Sequence, residues 1–350
     1  MDRFPQIMSL PGPIFVTGHT GFKGSWLTSI LDIFEIPWFG YSLEPDRDSL
    51  YCRKKKKHSE VGTFADIRDY EKLLQQINKV KPSVIIHLAA QPLVLRSYLE
   101  PRYTFDVNVM GSVNVLEAAR KIESVKYVVV ATTDKVYQNL EQGDPFNEQD
   151  SLGGHDPYST SKTGTEMAVE AWRNLQDSEN HVGISSARAG NVIGGGDFSQ
   201  NRLLPDLIRG FFENKTVEIR NPLSVRPWQH VIDPLLGYLA IIENGLQKSP
   251  PRAVNFGPKE KGLSVLEVVE SAQNAWGSPT AIKLLESNQE FHEAENLELN
   301  SDWARANLNW ENLYSQREAV ESTVTWWKKH LTQHISADDL VNEEIIYRLN

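Results

Sequence analysis

The sequence predicts a doubly wound α/β fold, a parallel sheet covered by helices on both faces, followed by a smaller region of mixed structure. In the first 150 residues, short apolar runs rich in β-branched residues alternate with amphipathic stretches. This alternation is typical of parallel strands joined by crossover helices. After about Gly190, glycines and prolines become frequent and the alternation fades, which indicates a second structural region.

Each short apolar run is predicted as a strand, and each longer stretch with apolar residues on one face as a helix. The predicted strands cover residues 14–16, 38–41, 84–88, 126–131, 183–187 and 253–256, and a further strand is expected just before Asp66. The predicted helices cover residues 24–34, 70–80, 107–121, 159–175 and 232–244. A short helical pattern also lies in the polar tail, at Leu340, Ile345 and Ile346.

Composition excludes several classes of function. The chain has 350 residues, of which 40% are hydrophobic and 23% charged, values that fit a globular protein with a sizeable core. The net charge of −10 argues against a nucleic-acid-binding protein, and the basic run 53–57 is expected to be solvated. With one cysteine, no signal-peptide pattern and no apolar run long enough for a membrane, we expect a cytoplasmic protein without nucleic-acid or membrane partners. No metal site is predicted.

A glycine-rich loop follows the first predicted strand and opens the first predicted helix. Gly18 permits a tight turn, Gly21 lets the backbone approach a pyrophosphate, and Gly24 lets the helix pack on the strand. The helix N-terminus offers free N–H groups and the positive end of its dipole to the anion. In this context the loop is typical of a Rossmann-type dinucleotide site. The loop residues expected to contact the cofactor are Gly18, His19, Thr20, Gly21, Phe22, Lys23 and Gly24.

The sequence leaves NAD and NADP as alternatives. After the second predicted strand, Glu44 can accept a hydrogen bond from a ribose hydroxyl, as NAD requires, whereas Arg47 can face the 2′-phosphate of NADP. Further cofactor contacts are predicted where later strands end and in the helix that follows: Asp66, Ile67, Leu88, Ala89, Ala90 and Asn108.

Two groups of polar residues are candidates for catalysis. Tyr158 and Lys162 are four residues apart and therefore share one helix face. A free tyrosine has a pKa near ~10, and an adjacent ammonium and an oxidised nicotinamide would lower it, so that the pair can take a proton from a substrate hydroxyl. Thr133, Asp134 and Lys135 follow the strand at 126–131, at the sheet edge where open α/β sheets bind ligands. The alternative is a strand-end turn with a solvated Asp and Lys.

Several segments resemble the CDP-glucose 4,6-dehydratases, a branch of the extended short-chain dehydrogenase/reductase family. The segments that carry the resemblance are 17–27, 133–135, 154–159 with Lys162, 188–197 and 220–230. The resemblance runs from about Gly12 to Trp327. Lys135 stands where the dTDP-glucose and GDP-mannose dehydratases tend to carry Glu, and it matches the CDP-glucose branch. The tyrosine–lysine pair alone indicates only the superfamily.

The resemblance implies an NAD-dependent hydro-lyase that converts CDP-glucose to CDP-4-keto-6-deoxyglucose and water. In this reaction Tyr158, aided by Thr133 and Lys162, takes the proton of the 4-hydroxyl while hydride passes from C4 to NAD. Asp134 is the implied acid for the departing 6-hydroxyl, and Lys135 a candidate for moving or stabilising the C5 proton. Hydride then returns to C6, so that the cofactor is expected to stay bound between turnovers.

Substrate contacts are likewise implied by the resemblance. Asn191 and Arg226 are expected at the pyrophosphate, because an arginine fork suits two phosphate oxygens. The other implied contacts are Arg202, Leu203 and Pro205 near the base, Ser97 near the hexose, and Arg220 and Asn255.

The resemblance also implies the domain organisation and the assembly. Residues 1–190, with 231–257 returning to them, are expected to form the NAD-binding Rossmann domain, residues 191–230 and 258–332 the smaller C-terminal substrate-binding domain for the nucleotide sugar, and residues 333–350 a tail. Members of the family are usually dimers, so we expect a homodimer, with a tetramer as the alternative, through a four-helix bundle that includes 107–121 and 159–175. Deoxysugar biosynthesis for the O-antigen of lipopolysaccharide is the expected setting.

Other activities remain alternatives at this point. A nucleotide-sugar 4-epimerase would use the same Tyr158 and Lys162 but release no water, and a 4,6-dehydratase of another NDP-hexose would differ only in its substrate. An NADP-dependent carbonyl reductase would consume free cofactor, and a non-catalytic dinucleotide sensor would often have lost the tyrosine–lysine pair.

Overall fold

The structure is a computed structural model that describes residues 12–54, 61–140, 143–175, 181–277, 280–285 and 297–349. Its first half contains β1 (Ile14–Thr17), α1 (Phe22–Ile33), β2 (Trp38–Ser42), α2 (Leu50–Arg53), β3 (Gly62–Phe64), α3 (Tyr70–Val80), β4 (Val84–His87), α4 (Val94–Leu99), α5 (Pro101–Phe105), α6 (Gly111–Lys121), β5 (Tyr127–Ala131), α7 (Pro157–Asn174) and β6 (Gly183–Ala189). A π-helical turn (Asp106–Met110) joins α5 to α6, and a 3-10 turn (Asp134–Val136) follows β5.

The second half mixes short strands with longer helices. Its elements are β7 (Asn191–Ile193), α8 (Leu203–Glu213), β8 (Val217–Ile219), β9 (Val225–Arg226), β10 (Trp228–His230), α9 (Ile232–Gln247), β11 (Ala253–Phe256), β12 (Leu263–Ser264), α10 (Val265–Trp276), β13 (Ile282–Leu284), α11 (Asp302–Leu308), α12 (Gln316–Thr332) and α13 (Ala337–Leu349).

The predicted doubly wound parallel sheet is confirmed. Seven strands pair in the order β11-β6-β5-β4-β1-β2-β3, and every neighbouring pair is parallel. The strand order reverses between β1 and β4, where the connections leave to opposite sides of the sheet. A crevice at the carboxyl ends of the strands is expected at such a reversal.

The two faces of the sheet support separate hydrophobic cores. Ile14 and Val16 of β1 pack in the larger core with helices α1 and α9, whereas Phe15 between them packs with α3 and α6. This alternation follows from the opposite directions of successive side chains in a strand. The sheet is therefore buried on both sides, which explains why its strands read as continuous apolar runs.

Several element predictions need correction. The helix predicted at 107–121 is part of a longer helical stretch that starts at Pro101, a favourable residue for a first helical turn. The tail pattern is α13, which packs on α1, α2 and α12 with Leu340 and Ile345 buried. Helices α2, α4, α8, α10, α11 and α12 were not predicted.

The basic run 53–57 was expected to be solvated, and for Lys54 this is wrong. The Lys54 side chain is buried, and its Nζ donates to Ser29 Oγ at 2.6 Å beneath α1. Residues 55–57 of the run lie outside the described residues. Within the described ranges, no helix combines the length and the apolar composition that crossing a bilayer requires.

The return of the chain to the sheet after residue 230 is visible in its contacts. Strand β11 pairs with β6, and α9 packs on β5 and β6. The domain boundaries themselves stay a prediction.

Candidate active site

The β1–α1 loop is shaped by glycines that no other residue could replace without collision. Gly18 has φ +76, and a Cβ there would lie 2.7 Å from the backbone nitrogen of Ala89. A Cβ on Gly24 would collide with the carbonyl oxygen of Gly18. Gly21 caps α1 and offers no side chain to the first-turn amides. These amides are therefore left for a ligand, and the loop fits the pyrophosphate of a dinucleotide.

Thr17 and His87 hold the ends of β1 and β4 together beside this loop. Thr17 Oγ1 lies 2.7 Å from His87 Nδ1 and accepts hydrogen bonds from the amides of Leu88 and Ala89, each at 3.2 Å. Burial, together with the charge of Lys162, lowers the pKa of His87 to about 3, so the imidazole is neutral at physiological pH. Leu88 and Ala89 are thus held beside Gly18, and their contact with the cofactor stays a prediction.

His19 was predicted as a cofactor contact, but its ring packs into the protein. The imidazole is fully buried among aromatic rings, with centroid distances of 5.5 Å to Tyr51 and 6.1 Å to Phe64. Gly40 and Gly62 make the room, since a Cβ on either would press on the imidazole. Only the backbone of His19 remains part of the loop.

The end of β2 carries no acidic side chain for the ribose within the strand itself. Ser42 ends the strand, and its Oγ lies 3.4 Å from the amide of Thr20. Glu44 and Arg47 both lie beyond it and are both exposed, so geometry does not choose between them. Asp66 is held by a two-pronged ion pair with Arg68, which keeps the pKa of Asp66 below its usual range.

Asn108 was predicted to touch the cofactor, but its amide is used within the protein. Its Oδ1 accepts from the amide of Gln91 at 2.8 Å, and its Nδ2 donates to Gln91 O at 3.1 Å and to Ser161 Oγ at 2.9 Å. Asn108 sits in the π-helical turn and ties the segment after β4 to α7. Its effect on the site is therefore through position.

The candidate base Tyr158 lies in the first turn of α7. Asp156 caps this helix in a capping box, and the Tyr158 amide also donates to Ser97 Oγ at 3.1 Å. Burial raises the pKa of Tyr158 to about 12, although a hydrogen bond with Thr133 and the charge of Arg202 act in the opposite direction. Ser97 was predicted at the hexose, but its hydroxyl donates to Val94 O in α4 and accepts from the Tyr158 amide in α7.

The expected lowering of the Tyr158 pKa by Lys162 is not seen in the protein chain. Lys162 Nζ donates to the carbonyl oxygen of Ala131, at the end of β5, at 3.0 Å. Burial, followed by the charge of Lys23, lowers the pKa of Lys162 to about 8. The Lys162 ammonium is therefore held at the end of β5, and its pKa is lowered. At Tyr158, desolvation has the largest effect on the pKa.

Asp134 is buried, which excludes the alternative of a solvated strand-end carboxylate. Asp134 is 1% exposed, and its Oδ1 accepts a hydrogen bond from Thr133 Oγ1 at 2.9 Å. Its Oδ2 is buried and has no hydrogen-bond partner among the described residues, and a Cβ on Gly190 would lie 3.2 Å from it. Burial raises the pKa of Asp134 against the opposing charges of Lys135 and Arg226. Lys135 itself is only partly buried.

A second buried carboxylate, Glu166, was not predicted. It lies one turn after Lys162 on α7 and accepts from Thr132 Oγ1 at 2.6 Å and from Ser186 Oγ at 2.8 Å. Arg188 closes the arrangement with two hydrogen bonds, from Nε at 3.0 Å and from Nη2 at 2.8 Å. The spacing from Tyr158 and Lys162 to Glu166 places all three on one helix face, a signal that was present in the sequence.

The predicted substrate contacts divide into two groups. Arg226 is buried close enough to Asp134 to act on its pKa, and Arg202 is close enough to act on that of Tyr158 while paired with Asp197 at 2.9 Å. Asn191 is partly buried in β7, opposite Trp228.

The remaining predicted substrate contacts are Leu203, Pro205, Arg220 and Asn255. Leu203 and Pro205 are in the first turn of α8, and Arg220 is exposed. Asn255 is fully buried, and its amide bonds to Tyr137, Phe146 and Asn300, which favours a structural role. Among the described side chains, no group of three or more His, Cys, Asp or Glu residues is arranged to hold a metal ion.

Comparison with known proteins agrees with this geometry. Residues 14–257 match the NAD dependent epimerase/dehydratase family. The chain is 40% identical over 324 residues to CDP-glucose 4,6-dehydratase of Salmonella typhimurium, covering 90% of each, and 27% identical over 331 residues to dTDP-glucose 4,6-dehydratase of Streptomyces griseus, covering 91% and 94%.

Solved structures share the fold. Epimerase Mth375 of Methanothermobacter thermautotrophicus superposes with a TM-score of 0.83 at 23% identity, covering 97% of each chain. A dTDP-glucose 4,6-dehydratase of Streptomyces venezuelae superposes with a TM-score of 0.79 at 20% identity, covering 91% and 97%. Together with the glycine loop and the Tyr158–Lys162 pair, the family match over residues 14–257 shows that the chain belongs to the NAD dependent epimerase/dehydratase family.

Proposed function

We propose that the protein is an NAD-dependent hydro-lyase that converts CDP-glucose to CDP-4-keto-6-deoxyglucose and water. The observation that carries the proposal is Asp134, a buried carboxyl beside Tyr158 and Thr133. Its Oδ2 has no hydrogen-bond partner among the described residues, and burial raises its pKa. A dehydratase needs such a proton donor, whereas a 4-epimerase does not. The choice of CDP-glucose is supported by the 40% identity to the Salmonella enzyme.

The first residue to act is Tyr158. NAD, when held by the glycine loop, supplies the chemistry of accepting a hydride from C4 and returning it to C6. Tyr158 takes the proton of the 4-hydroxyl, with Thr133 hydrogen-bonded to its phenol. Because burial raises the Tyr158 pKa to about 12, the phenolate has to be stabilised in the loaded site by positive charge, of which Arg202 is one source.

Asp134 acts in the elimination. Once C4 is a ketone, the C5 hydrogen is acidic, and loss of water requires the C5–H and C6–O bonds to break. Asp134 gives its proton to the leaving 6-hydroxyl, and its raised pKa keeps that proton available at higher pH than an exposed Asp would. We propose that the neutral amine of Lys135 takes the C5 proton during elimination and returns a proton to C5 when hydride is added at C6. Lys135→Ala should then slow deuterium entry at C5 more than oxidation at C4, and unchanged deuterium entry would remove Lys135 from the step.

The test of the proposed function is a panel of CDP-, dTDP-, GDP- and UDP-glucose, each incubated with the protein and assayed for a base-labile 4-keto chromophore. We expect the chromophore to form fastest with CDP-glucose, and Tyr158→Phe to abolish it as the matched control. A product that keeps its 6-hydroxyl would show a 4-epimerase instead. Faster reaction with another nucleotide would reassign the base.

We also propose that the protein is a homodimer formed through α5, α6 and α7. Large apolar side chains on and beside these helices are exposed, with Leu99 83%, Met110 50% and Met167 63% exposed. Two copies meeting here would bury them in a four-helix bundle. Light scattering should give twice the chain mass, and Met167→Glu should halve it; a tetramer, or a monomer in the parent protein, would contradict the proposal.

The remaining predictions rest on the sequence. We propose a cytoplasmic location and a place in deoxysugar synthesis for O-antigen lipopolysaccharide. We also propose the domain boundaries given above and roles in substrate binding for Asn191, Arg202 and Arg226.

A further inference from the structure

Lys23 of the glycine loop reaches across the site with its side chain. It is the second residue of α1, it is partly buried, and its Nζ donates to the hydroxyl of Tyr238 at 3.1 Å. Tyr238 is fully buried on α9. The ammonium also lies 5.7 Å from the centre of the Tyr238 ring. The side chain is therefore held in one place, between the phosphate cradle and the helix that returns to the sheet.

The charges around Lys23 leave its ammonium uncompensated. Its described hydrogen bond goes to a neutral tyrosine, and the ionised groups that act on its pKa are Arg202, which lowers it, and Asp134, which raises it. Lys23 in turn lowers the pKa of Lys162, so these side chains share one poorly solvated region. Arg202 is paired with Asp197, and Glu166 acts on Lys162, but no ion pair is described for Lys23 itself. A bound anion would therefore stabilise the Lys23 ammonium.

We propose that the Lys23 ammonium, positioned by Tyr238, binds a pyrophosphate oxygen of a nucleotide in this site. A lysine ammonium is a compact donor that suits a phosphate oxygen, and the first-turn amides of the same helix already face an anion. This proposal rests on the proposed function, which names the two nucleotides, NAD and CDP-glucose. Both the cofactor and a nucleotide sugar carry a pyrophosphate, so the experiment has to separate them.

The protonation state of Lys23 provides a signature. Burial, then the charge of Arg202, lowers its pKa to about 8, and the bound anion needs the protonated form. Affinity for the pyrophosphate should therefore fall as the pH rises above about 8. Lys162 has a similar pKa of about 8, so it can also make the affinity depend on pH in this range. The part of the pH dependence that is lost in Lys23→Arg belongs to Lys23.

The experiment is calorimetric titration of the full-length protein, cleared of bound nucleotide, with NAD and with CDP, and with the phosphate-free nucleosides adenosine and cytidine for comparison. Lys23→Met should weaken binding of one pyrophosphate ligand by about 10- to 100-fold, the loss expected for a hydrogen bond from a charged group. Lys23→Arg should retain most of the affinity and lose the fall above pH 8. Tyr238→Phe should weaken the same ligand to a smaller extent. Lys215→Met, at a lysine whose side chain is 73% exposed, is the matched control and should change nothing.

The outcomes separate the possibilities. Loss for NAD alone assigns Lys23 to the cofactor, and loss for CDP alone assigns it to the substrate. Unchanged affinity for both, or an equal loss for the nucleosides, overturns the inference. A protein that does not dehydrate CDP-glucose but loses NAD affinity on Lys23→Met would refute the proposed function and leave the assignment of Lys23 standing.

Discussion

Two buried carboxylates, Glu166 and Asp134, flank the end of β5, and their surroundings shift their pKa values in opposite directions. Glu166 is 4% exposed and accepts hydrogen bonds from Thr132, Ser186 and Arg188. These interactions hold its pKa below the usual range in spite of burial. Asp134 is at least as buried, but its carboxylate is stabilised only by Thr133 and the backbone of Lys135 among the described residues, and its Oδ2 has no hydrogen-bond partner there. Its pKa is raised.

Burial alone does not decide what a carboxylate does. Thr132 and Thr133 are adjacent at the end of β5, and because successive side chains point to opposite sides, each serves a different carboxylate. A carboxylate with several donors and a guanidinium partner stays an anion and holds structure together. A buried carboxyl with few donors has a raised pKa, so it holds its proton to higher pH and can donate it.

The largest expected effect is on turnover. Asp134→Asn removes the transferable proton but keeps an oxygen for Thr133, so dehydration of CDP-glucose should fall by ~10² to 10⁴-fold. Oxidation at C4 does not need Asp134 and should continue, so reduced nicotinamide should accumulate in a single turnover and be visible by its near-ultraviolet absorbance. Parent-like dehydration by this variant would show that the acid is another group.

The second effect is on stability. Glu166→Gln leaves the Arg188 guanidinium buried without a counter-charge, and breaking a buried pair from one side costs about 3–5 kcal/mol. The free energy of unfolding, measured in urea, should fall by this amount. Asp134→Asn is the natural control because it also exchanges a buried carboxylate for an amide, and it should not lose stability. If the two variants are equally destabilised, the distinction drawn here is wrong.

The third effect is the pH dependence of the two carboxylates, which should have opposite signs. The folded-state pKa of Asp134 is raised above its ordinary 3.8, so its contribution to stability is present at low pH and is lost as the pH rises through that folded value. The melting temperature of Asp134→Asn relative to the parent should therefore rise with pH. Glu166 has a pKa below its ordinary 4.5, so its contribution is lost as the pH falls, and the deficit of Glu166→Gln should shrink toward acid.

These melting temperatures should be compared on both sides of the ordinary carboxyl pKa values, because the change for Asp134 is expected above 3.8 and the change for Glu166 below 4.5. Two curves of the same sign would mean that the carboxylates share one environment.

Local patterns made the first half of the fold predictable. The helix at 70–80 was predicted with its observed bounds, Tyr70–Val80, because its apolar residues recur on one face. In the structure Asp69 caps it. Helices α10 and α12 were missed in the glycine- and proline-rich half, yet each begins with a Ser-x-x-Glu capping box, Ser264 with Glu267 and Ser315 with Glu318. Capping boxes are readable in sequence and would have located both helices.

The candidate site was less predictable, because its properties depend on distant parts of the chain. The place of Asp134 after a strand identified it as a candidate, but its surroundings include Gly190, between β6 and β7, where a Cβ would lie 3.2 Å from its Oδ2. Likewise Lys162 was placed beside Tyr158 correctly on the helix, while its hydrogen bond to Ala131 depends on how α7 lies on β5. Periodicity carries no such distances, so pKa directions could not be obtained from sequence.

The smallest effects come from the two threonines themselves. Thr132→Val and Thr133→Val are isosteric and each removes one hydroxyl. Thr132→Val takes one hydrogen bond from Glu166, whose other donors remain, so it should cost about 1–2 kcal/mol of stability with turnover within about twofold of the parent. Thr133→Val removes the donor to Asp134 Oδ1 and the hydrogen bond to Tyr158, and should lower kcat about tenfold with a smaller loss of stability. Urea unfolding and kcat, measured on both variants, separate the two roles, because a purely structural strand end would show both valines lowering stability and leaving kcat alone. If instead Thr132→Val impairs turnover as much as Thr133→Val, Glu166 belongs to the catalytic group, and the contrast between the carboxylates is one of degree.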